Sequence, residues 1–516
     1  MRRRAGPSAG ASAAPRRAAL ALLAATVALV LFVALRAPLK DDIAWLLYVA
    51  RRWLAGRELY VDVVEVNPPL IVWISALPLG LSRFLDVRPQ LVAMPGFVAA
   101  VLGCAWWTAS LARRLGGVFA DRATVFAALG VALLILPAGE LGQREHLLVA
   151  ATLPYLAILA AELDGIRPGR IEAAAAGLLA AAGCALKPRY AAVALMLEGI
   201  ALWRGLRPWR AMPLAAALAL AAYAALVAWL SPAYLRRAVP LAVALYGGTD
   251  TTFWHLFVES AALVGGELVL AGLLLSRWRS LREHWVLLAL LAYAAVGTVV
   301  CFLDGKDWYY HRIPATVTTV LGLLVWAGAA LAQPRAGGRR SRGPLGAAAL
   351  VVAILCLGSL QRLEPQVAQA VSRPRTAADR IEEIVRRERA RTYIAFSEWI
   401  ALGFPVVNNT GVEWASRFDS MWALKGELWR ARFDPKATRD WPVARWVVRD
   451  FLAGCPDIAV VDTRETTNYV AVLTEADPAF ARAWSRYGEI DAFDGLKVYK
   501  RGKAGCIDAW TAGDAK

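Results

Sequence analysis

Charge is what this chain has too little of. Only 19% of its 516 side chains are Asp, Glu, Lys or Arg, where a soluble domain of ordinary composition carries about a quarter. Such a chain cannot present water with a polar surface all round. Histidine is scarce too, at four residues, and cysteine stands at six. No HxxH, HExxH or paired Cys/His spacing occurs, so no zinc motif is encoded. The composition also excludes a disordered chain, collagen and a disulfide-rich secreted scaffold, and internal repeats are absent.

What the sequence has instead is apolar length. Hydrophobic residues make up 58% of the chain and mean hydropathy is +0.46. A membrane helix needs about 20 mostly apolar residues, and runs near that length recur at 19–35, 91–111, 123–138, 147–163, 173–187, 189–203, 211–230, 256–276, 285–303, 313–332 and 345–361. The expected fold class is an α-helical polytopic membrane protein of about eleven spans with a small C-terminal α/β domain outside the cytoplasm. Net charge is +17, but the arginines fall in short clusters between apolar runs rather than along one basic face. They read as topology signals, not as a nucleic-acid surface.

Residues 1–18 form a basic cytoplasmic leader with Arg2, Arg3, Arg4, Arg16 and Arg17; no cleavage site follows the first run, which is expected to stay as a span. The joints holding Arg113/Arg114/Arg122, Arg167/Arg170, Arg204/Arg207/Arg210, Arg277/Arg279/Arg282 and Arg335/Arg339/Arg340/Arg342 then lie in the cytoplasm. This requires Asn67 to about Leu85 to dip into the outer leaflet. If that segment crosses, parity flips as far as residue 173, and one broken span over 173–203 restores it. The domains expected are thus the leader, a membrane body at 19–361 with its first outer loop at 37–67, and a periplasmic α/β domain at 362–516. Within the last, Ala378–Arg389 reads as an amphipathic helix, Thr392–Phe396 and Ile458–Val461 as buried strands, and Lys497–Tyr499 as a strand after an Asp494–Gly495 turn. Cys104, Cys184, Cys301 and Cys356 sit in apolar runs; Cys455 and Cys506 lie in the tail, where they pair or remain two free thiols.

Candidate chemistry clusters in the outward joints. The first outer loop opens with Asp41 and Asp42, followed by Glu65 and Asn67. Charges beside a span are costly unless solvated or paired, and a carboxylate at the membrane surface is well placed to take a proton from a hydroxyl. Arg144, Glu145 and His146, then Lys187 and Arg189, then Lys306, Trp308, Tyr310, His311 and Arg312 occupy three further joints on the same expected face. Basic residues there oppose the positive-inside trend, and an anionic phosphate would compensate them. No cofactor is firmly implied; a divalent cation on Asp41, Asp42 and Glu145 is the one the residue types leave open.

The first outer loop, Asp41–Asp42 followed by Ala50, Gly56, Tyr60, Asp62 and Glu65-Val66-Asn67-Pro68-Pro69-Leu70, resembles the GT-C superfamily of membrane glycosyltransferases. It is most similar to the branch with the aminoarabinose, galacturonic acid and protein mannosyl transferases. The resemblance implies a polyprenyl-phosphate sugar donor, a glycan, lipid or protein acceptor, and Asp42 or Asp41 as the base in an inverting transfer at the outer face of a bacterial inner membrane, with the N-terminus inside. Lys187, Arg189, Lys306, His311 and Arg312 would hold the donor phosphate. Glu65, Asn67, Arg144, Glu145, His146, Trp308 and Tyr310 would orient substrate. Two features depart from the branch: Asp–Asp stands where many relatives have Asp–Glu, and Asn67 stands where Lys is common. The tail could select the acceptor through Tyr393–Phe396, Phe404–Asn409, Glu413, Trp414 and Arg417. A polymerase or ligase using diphosphate-linked lipid, and a transporter or flippase, are the alternatives; the latter would place its charges near the bilayer midplane, within repeats.

Overall fold

The computed structural model describes residues 13–281, 283–332, 342–434 and 437–503. Arg2, Arg3, Arg4, Arg282, Arg335, Arg339 and Arg340 of the basic joints, and Cys506, lie outside the described residues. In chain order the apolar runs fold as α1 (Ala13–Arg36), α2 (Asp41–Leu54), α3 (Pro69–Leu85), α4 (Gln90–Ala112), α5 (Arg122–Ile135), α6 (Arg144–Leu163) and α7 (Arg170–Leu186). There follow α8 (Ala191–Trp203), α9 (Ala211–Leu230), α10 (Val239–Leu245), α11 (Phe253–Arg277), α12 (His284–Asp304), α13 (Ile313–Ala332) and α14 (Arg342–Val371).

Eight helices among the described residues are long and apolar enough to cross a membrane: α1, α4, α6, α9 and α11 to α14, with α13 lengthened by the turn from Tyr309. The chain is a multi-pass membrane protein. Three of the eleven expected runs, 123–138, 173–187 and 189–203, instead form helices of 14, 17 and 13 residues, roughly 20 to 26 Å long against a hydrocarbon layer of about 30 Å. Composition alone did not reveal where they stop. Between α7 and α8, Pro188 has no N–H to donate and pushes Lys187 out of helical geometry, to φ −142° and ψ 87°.

Chain contacts divide the protein into two units, each drawn from three separated stretches: Met1–Ala37, Ala93–Ala224 and Thr251–Val371 form one; Pro38–Val92, Ala225–Asp250 and Ser372–Lys516 the other. In the first, α6 is the central helix. Of its most apolar window 89% is buried, against 11% for α9 and 17% for α14, so those outer helices turn apolar side chains outward, as lipid-facing helices do. Arg36 closes α1 by donating from Nε to the carbonyl of Ala370 at 3.1 Å, near the end of α14.

The second unit contains α2, α3, α10 and the tail. The tail adds α15 (Ala377–Arg387), β1 (Thr392–Phe396), α16 (Val406–Thr410), β2 (Glu413–Trp414), α17 (Trp422–Ala431), α18 (Ala437–Asp440), α19 (Val443–Gly454), β3 (Ile458–Asp462), α20 (Tyr469–Ala476), α21 (Pro478–Trp484), β4 (Tyr487–Phe493) and β5 (Leu496–Arg501). Its sheet runs β2-β1-β3-β5-β4, parallel across β2, β1 and β3 and antiparallel thereafter. Strands β1 and β3 pair Tyr393 with Ile458 and Phe396 with Val461; they are buried almost throughout, as the continuous apolar sequence of central parallel strands requires. Helix α15 starts with a capping box, Thr376 and Asp379 bonding each other's backbone amides. The expected hairpin is present: Asp494 and Gly495 both take positive φ, 48° and 75°, which a two-residue turn of this kind demands. Cys455 is in a disulfide, while Cys104, Cys184, Cys301 and Cys356 are free.

Candidate active site

Each unit gathers one set of the expected site residues. In the first, the start of α6 supplies a fully buried carboxylate, Glu145, in a helical first turn whose dipole favours negative charge. The Lys187 ammonium lies 3.0 Å from Glu145 Oε1, and His311 Nδ1 lies 3.6 Å from the same oxygen. His311 Nδ1 also stands 2.9 Å from Asp304 Oδ2, and Asp304 is ion-paired with Arg189. Tyr190 fixes this arrangement by donating from its hydroxyl to the His311 carbonyl at 3.0 Å. The aromatics fill the gaps: the Tyr310 ring lies 5.7 Å from the Arg144 guanidinium carbon, 5.9 Å from Lys187 Nζ and 4.6 Å from the His311 ring. Lys306, 2% exposed, sits 5.9 Å over Trp308 and also acts on His311 through its charge. Four cations, Arg144, Lys187, Arg189 and Lys306, thus share this network with two carboxylates, Glu145 and Asp304. The Lys187 side chain keeps 20% of its surface accessible and Arg189 keeps 67%, so these two cations can be reached.

Two residues assigned to substrate from the sequence are committed elsewhere. His146 donates from Nε2 to the Leu133 carbonyl at 2.8 Å and accepts from the Gly142 amide on Nδ1 at 3.3 Å, the tautomer these two partners require. Its ring holds the turn before α6, where Gly142 sits at φ +87° with Phe97 packed against it, and has no nitrogen left for a substrate. Arg312 is 4% exposed and donates to the carbonyls of Glu259 and Asp307, both at 2.6 Å. It braces the loop between α12 and α13 and is poorly placed to move onto a phosphate.

In the second unit, Asp41 and Asp42 open α2. Asp41 is taken up locally: its Oδ1 accepts from the Asp42 amide at 2.9 Å and lies 3.4 Å from Lys40. Burial pushes the Asp41 carboxyl above its ordinary range, opposed by Lys40 and reinforced by Asp42. One turn into the helix, Trp45 donates to Glu65 Oε2 at 2.6 Å, and Glu65 Oε1 accepts from the Asn67 backbone amide at 2.7 Å and from its side chain. The Tyr60 hydroxyl donates to the Asn67 carbonyl at 2.9 Å. Glu65 and Asn67 therefore organise the loop against α2. The tail completes its support: Val64 donates to the Arg417 carbonyl at 2.7 Å, and Asn408 donates to the Ala44 carbonyl at 3.0 Å.

The tail also contributes a carboxylate that sequence reading passed over. Asp419 accepts from Trp422 Nε1 at 2.7 Å. Burial pushes its carboxyl up to about 8, and the charges of Glu65 and Asp42 push the same way. Asp419 lies 377 positions beyond Asp42 in an ordinary polar loop, so no local pattern marks it. The tail residues expected to contact sugars are mostly core: Tyr393, Phe396 and Phe404 are each 0% exposed and Trp414 is 5%. Among the described residues no group of three or more His, Cys, Asp or Glu is arranged to hold a metal ion.

No family model and no curated protein matches the chain. Among solved structures it is similar to ArnT from Cupriavidus metallidurans, crystallised with undecaprenyl phosphate, at 15% identity and a TM-score of 0.52 over 93% of this chain and 97% of that one. It is also similar to the mycobacterial arabinofuranosyltransferase AftD at 15% identity, with a TM-score of 0.42, covering 95% of this chain and 42% of that one. The near end-to-end match with ArnT shows that this chain shares the fold of that structure.

Proposed function

We propose that the protein transfers a sugar from a polyprenyl-phosphate donor to an acceptor hydroxyl at the outer face of a bacterial inner membrane, with the tail domain periplasmic. The observation that carries this reading is the gathering of Arg144, Lys187, Arg189 and Lys306 around Glu145, His311 and Asp304, with the Lys187 and Arg189 side chains reachable from outside. Basic side chains collected in this way match the charge and the several acceptor oxygens of a phosphate. That ArnT shares the fold and was crystallised with undecaprenyl phosphate supports the same donor class.

The chemistry needs a base and a place for the leaving group. We assign the base to Asp42, the carboxylate of the pair whose charge acts on the Asp419 carboxyl. As the acceptor oxygen attacks the anomeric carbon, its proton passes to Asp42, the carbon–oxygen bond to phosphate breaks, and the polyprenyl phosphate leaves with the bonding pair. Attack opposite the phosphate inverts the anomeric centre. Lys187, Arg189, Lys306 and Arg144 stabilise the charge that develops on the departing phosphate. Glu145 and His311 position Lys187, and the neutral Asp419 carboxyl can donate a hydrogen bond beside Asp42.

The test is incubation of purified protein with a panel of polyprenyl-phosphate sugars and membrane lipid extract, following free polyprenyl phosphate for wild type and Asp42→Asn. Release that depends on Asp42 is the expected result. Release of a polyprenyl diphosphate from diphosphate-linked substrates, with none from the monophosphate panel, would overturn the reading in favour of a polymerase or ligase.

A further inference from the structure

At the end of the first unit formed by the start of α1, the end of α4 and the start of α5, a cavity of about 390 Å³ is lined by Arg16, Arg113 and Arg122 together with Leu20, Trp106 and Phe126. Neither the donor nor the acceptor reading uses it. The Arg122 guanidinium carbon lies 4.1 Å over the Trp106 ring, and Phe126 meets that ring edge-on at 5.3 Å, so the polar and apolar walls are built together. One carboxylate, Asp121, lines the cavity and offsets part of the charge of Arg16; it caps α5, accepting from the Thr124 hydroxyl at 2.6 Å and from the Ala123 amide at 3.3 Å, and leaves the three arginines in excess of it. Among the described residues no carboxylate lies within ion-pair distance of the three guanidinium groups. Leu20 and Trp106, 36% and 44% exposed, belong to membrane-spanning helices, so their outward faces lie against lipid.

We propose that this cavity binds one anionic phospholipid, its headgroup phosphate held by Arg16, Arg113 and Arg122 and its acyl chain lying over Leu20, Trp106 and Phe126. Three guanidinium groups lining one cavity match a phosphate with several directed donors. A basic pocket between membrane helices at headgroup depth, with an apolar wall leading into the bilayer, matches the amphipathic outline of a phospholipid. A free phosphate would use the arginines and leave the apolar wall idle. A zwitterionic lipid brings its own ammonium and gains less from three arginines.

Native mass spectrometry of the full-length protein, released from detergent with phosphatidylglycerol or phosphatidylethanolamine added, tests the assignment. Wild type should retain one phosphatidylglycerol in preference to phosphatidylethanolamine. Arg113→Gln/Arg122→Gln should weaken that retention by about 30-fold, at about fivefold per charge removed near the surface. Arg204→Gln, which alters a different arginine, one stacked 4.5 Å over Trp285, should leave retention as it was and serves as the folding-matched control. Inorganic phosphate at tens of millimolar should not displace the lipid. Equal retention of the two lipids, equal retention by wild type and double variant, loss in the Arg204→Gln control as well, or complete displacement by inorganic phosphate would each overturn the proposal.

Discussion

Replacing Lys187 with Met while leaving Glu145 in place strands a carboxylate that has no exposed surface. The two charged groups are 3.0 Å apart, where Coulomb's law at an effective dielectric of about 20 gives roughly 5 kcal/mol of attraction. Breaking a buried pair from one side costs about 3–5 kcal/mol; Arg144 and His311 remain beside Glu145, so the lower figure, about 3 kcal/mol, applies. Removing both partners in Lys187→Met/Glu145→Gln eliminates the stranded charge and should recover most of that loss, leaving a coupling of about 2–3 kcal/mol in the double-mutant cycle. The readout is the half-life of monodisperse protein at fixed temperature in detergent, since heat unfolding of a multi-pass protein is followed as a rate. A loss of about 3 kcal/mol shortens the half-life by about 150-fold if the pair is broken at the unfolding barrier. Additive effects of the two substitutions would refute the reasoning. They would mean that Lys187 is not held by Glu145, and its role as a positioned phosphate ligand would fall with it.

Asp42→Asn is expected to lower transfer by about 10²–10⁴-fold, the usual worth of a general base, and Asp41→Asn by much less; equal losses in steady-state assays would contradict the choice between them. Wild-type turnover should fall as pH rises through about 8, where Asp419 ionises beside Asp42 and Glu65, while Asp419→Asn should be flat there; superimposable pH profiles would refute the assignment. Because the folded-state value of Asp419 is raised from 3.8 to about 8, its effect on stability has a definite sign: stability is lost as pH rises between those values, so the Asn variant should outlast wild type more clearly at pH 8 than at pH 5. His146→Phe leaves the Leu133 carbonyl and the Gly142 amide without their partner and should cost about 1–3 kcal/mol for each buried group, measured as thermal half-life, with donor KM unchanged if the ring contacts no substrate.

Hydropathy made most of the membrane helices legible, because lipid permits few ways to satisfy a backbone and the apolar runs follow from that. It did not give the lengths of α5, α7 and α8, which are decided by helix stops such as Pro188 rather than by composition. The tail strands and the Asp494–Gly495 turn were readable from period and turn chemistry. Residue type left the tail aromatics open between sugar contacts and core, because exposure is not written in it: Tyr393 and Phe404 are core, while Trp399, three residues beyond β1, is 65% exposed. Asp41, Asp42, Lys187 and Glu145 stood out as charges beside apolar runs. Arg312 stood out for the same reason, yet its guanidinium is taken up by two carbonyls, which only the fold could supply. Asp419 had no signal, since its neighbours Asp42 and Glu65 come from the other end of the chain.

The carbonyl of Ala44 waits for an amide made 364 residues later. At a synthesis rate of about 5–20 residues per second, the loop after the first span emerges roughly 20–70 seconds before Asn408 and Arg417 exist to support it. During that interval the later membrane helices are inserted, and the carboxylate pair at the start of α2 has only local contacts. A nascent chain stopped before the tail would therefore hold the loop after α2 open to proteases, and protection should arise late, when Asn408 and Arg417 have been made, rather than when the last span is inserted. Biogenesis is thereby ordered in time: the apolar helices that precede the tail are laid down first, and the segment bearing Asp41 and Asp42 reaches its final form only once the tail is being made.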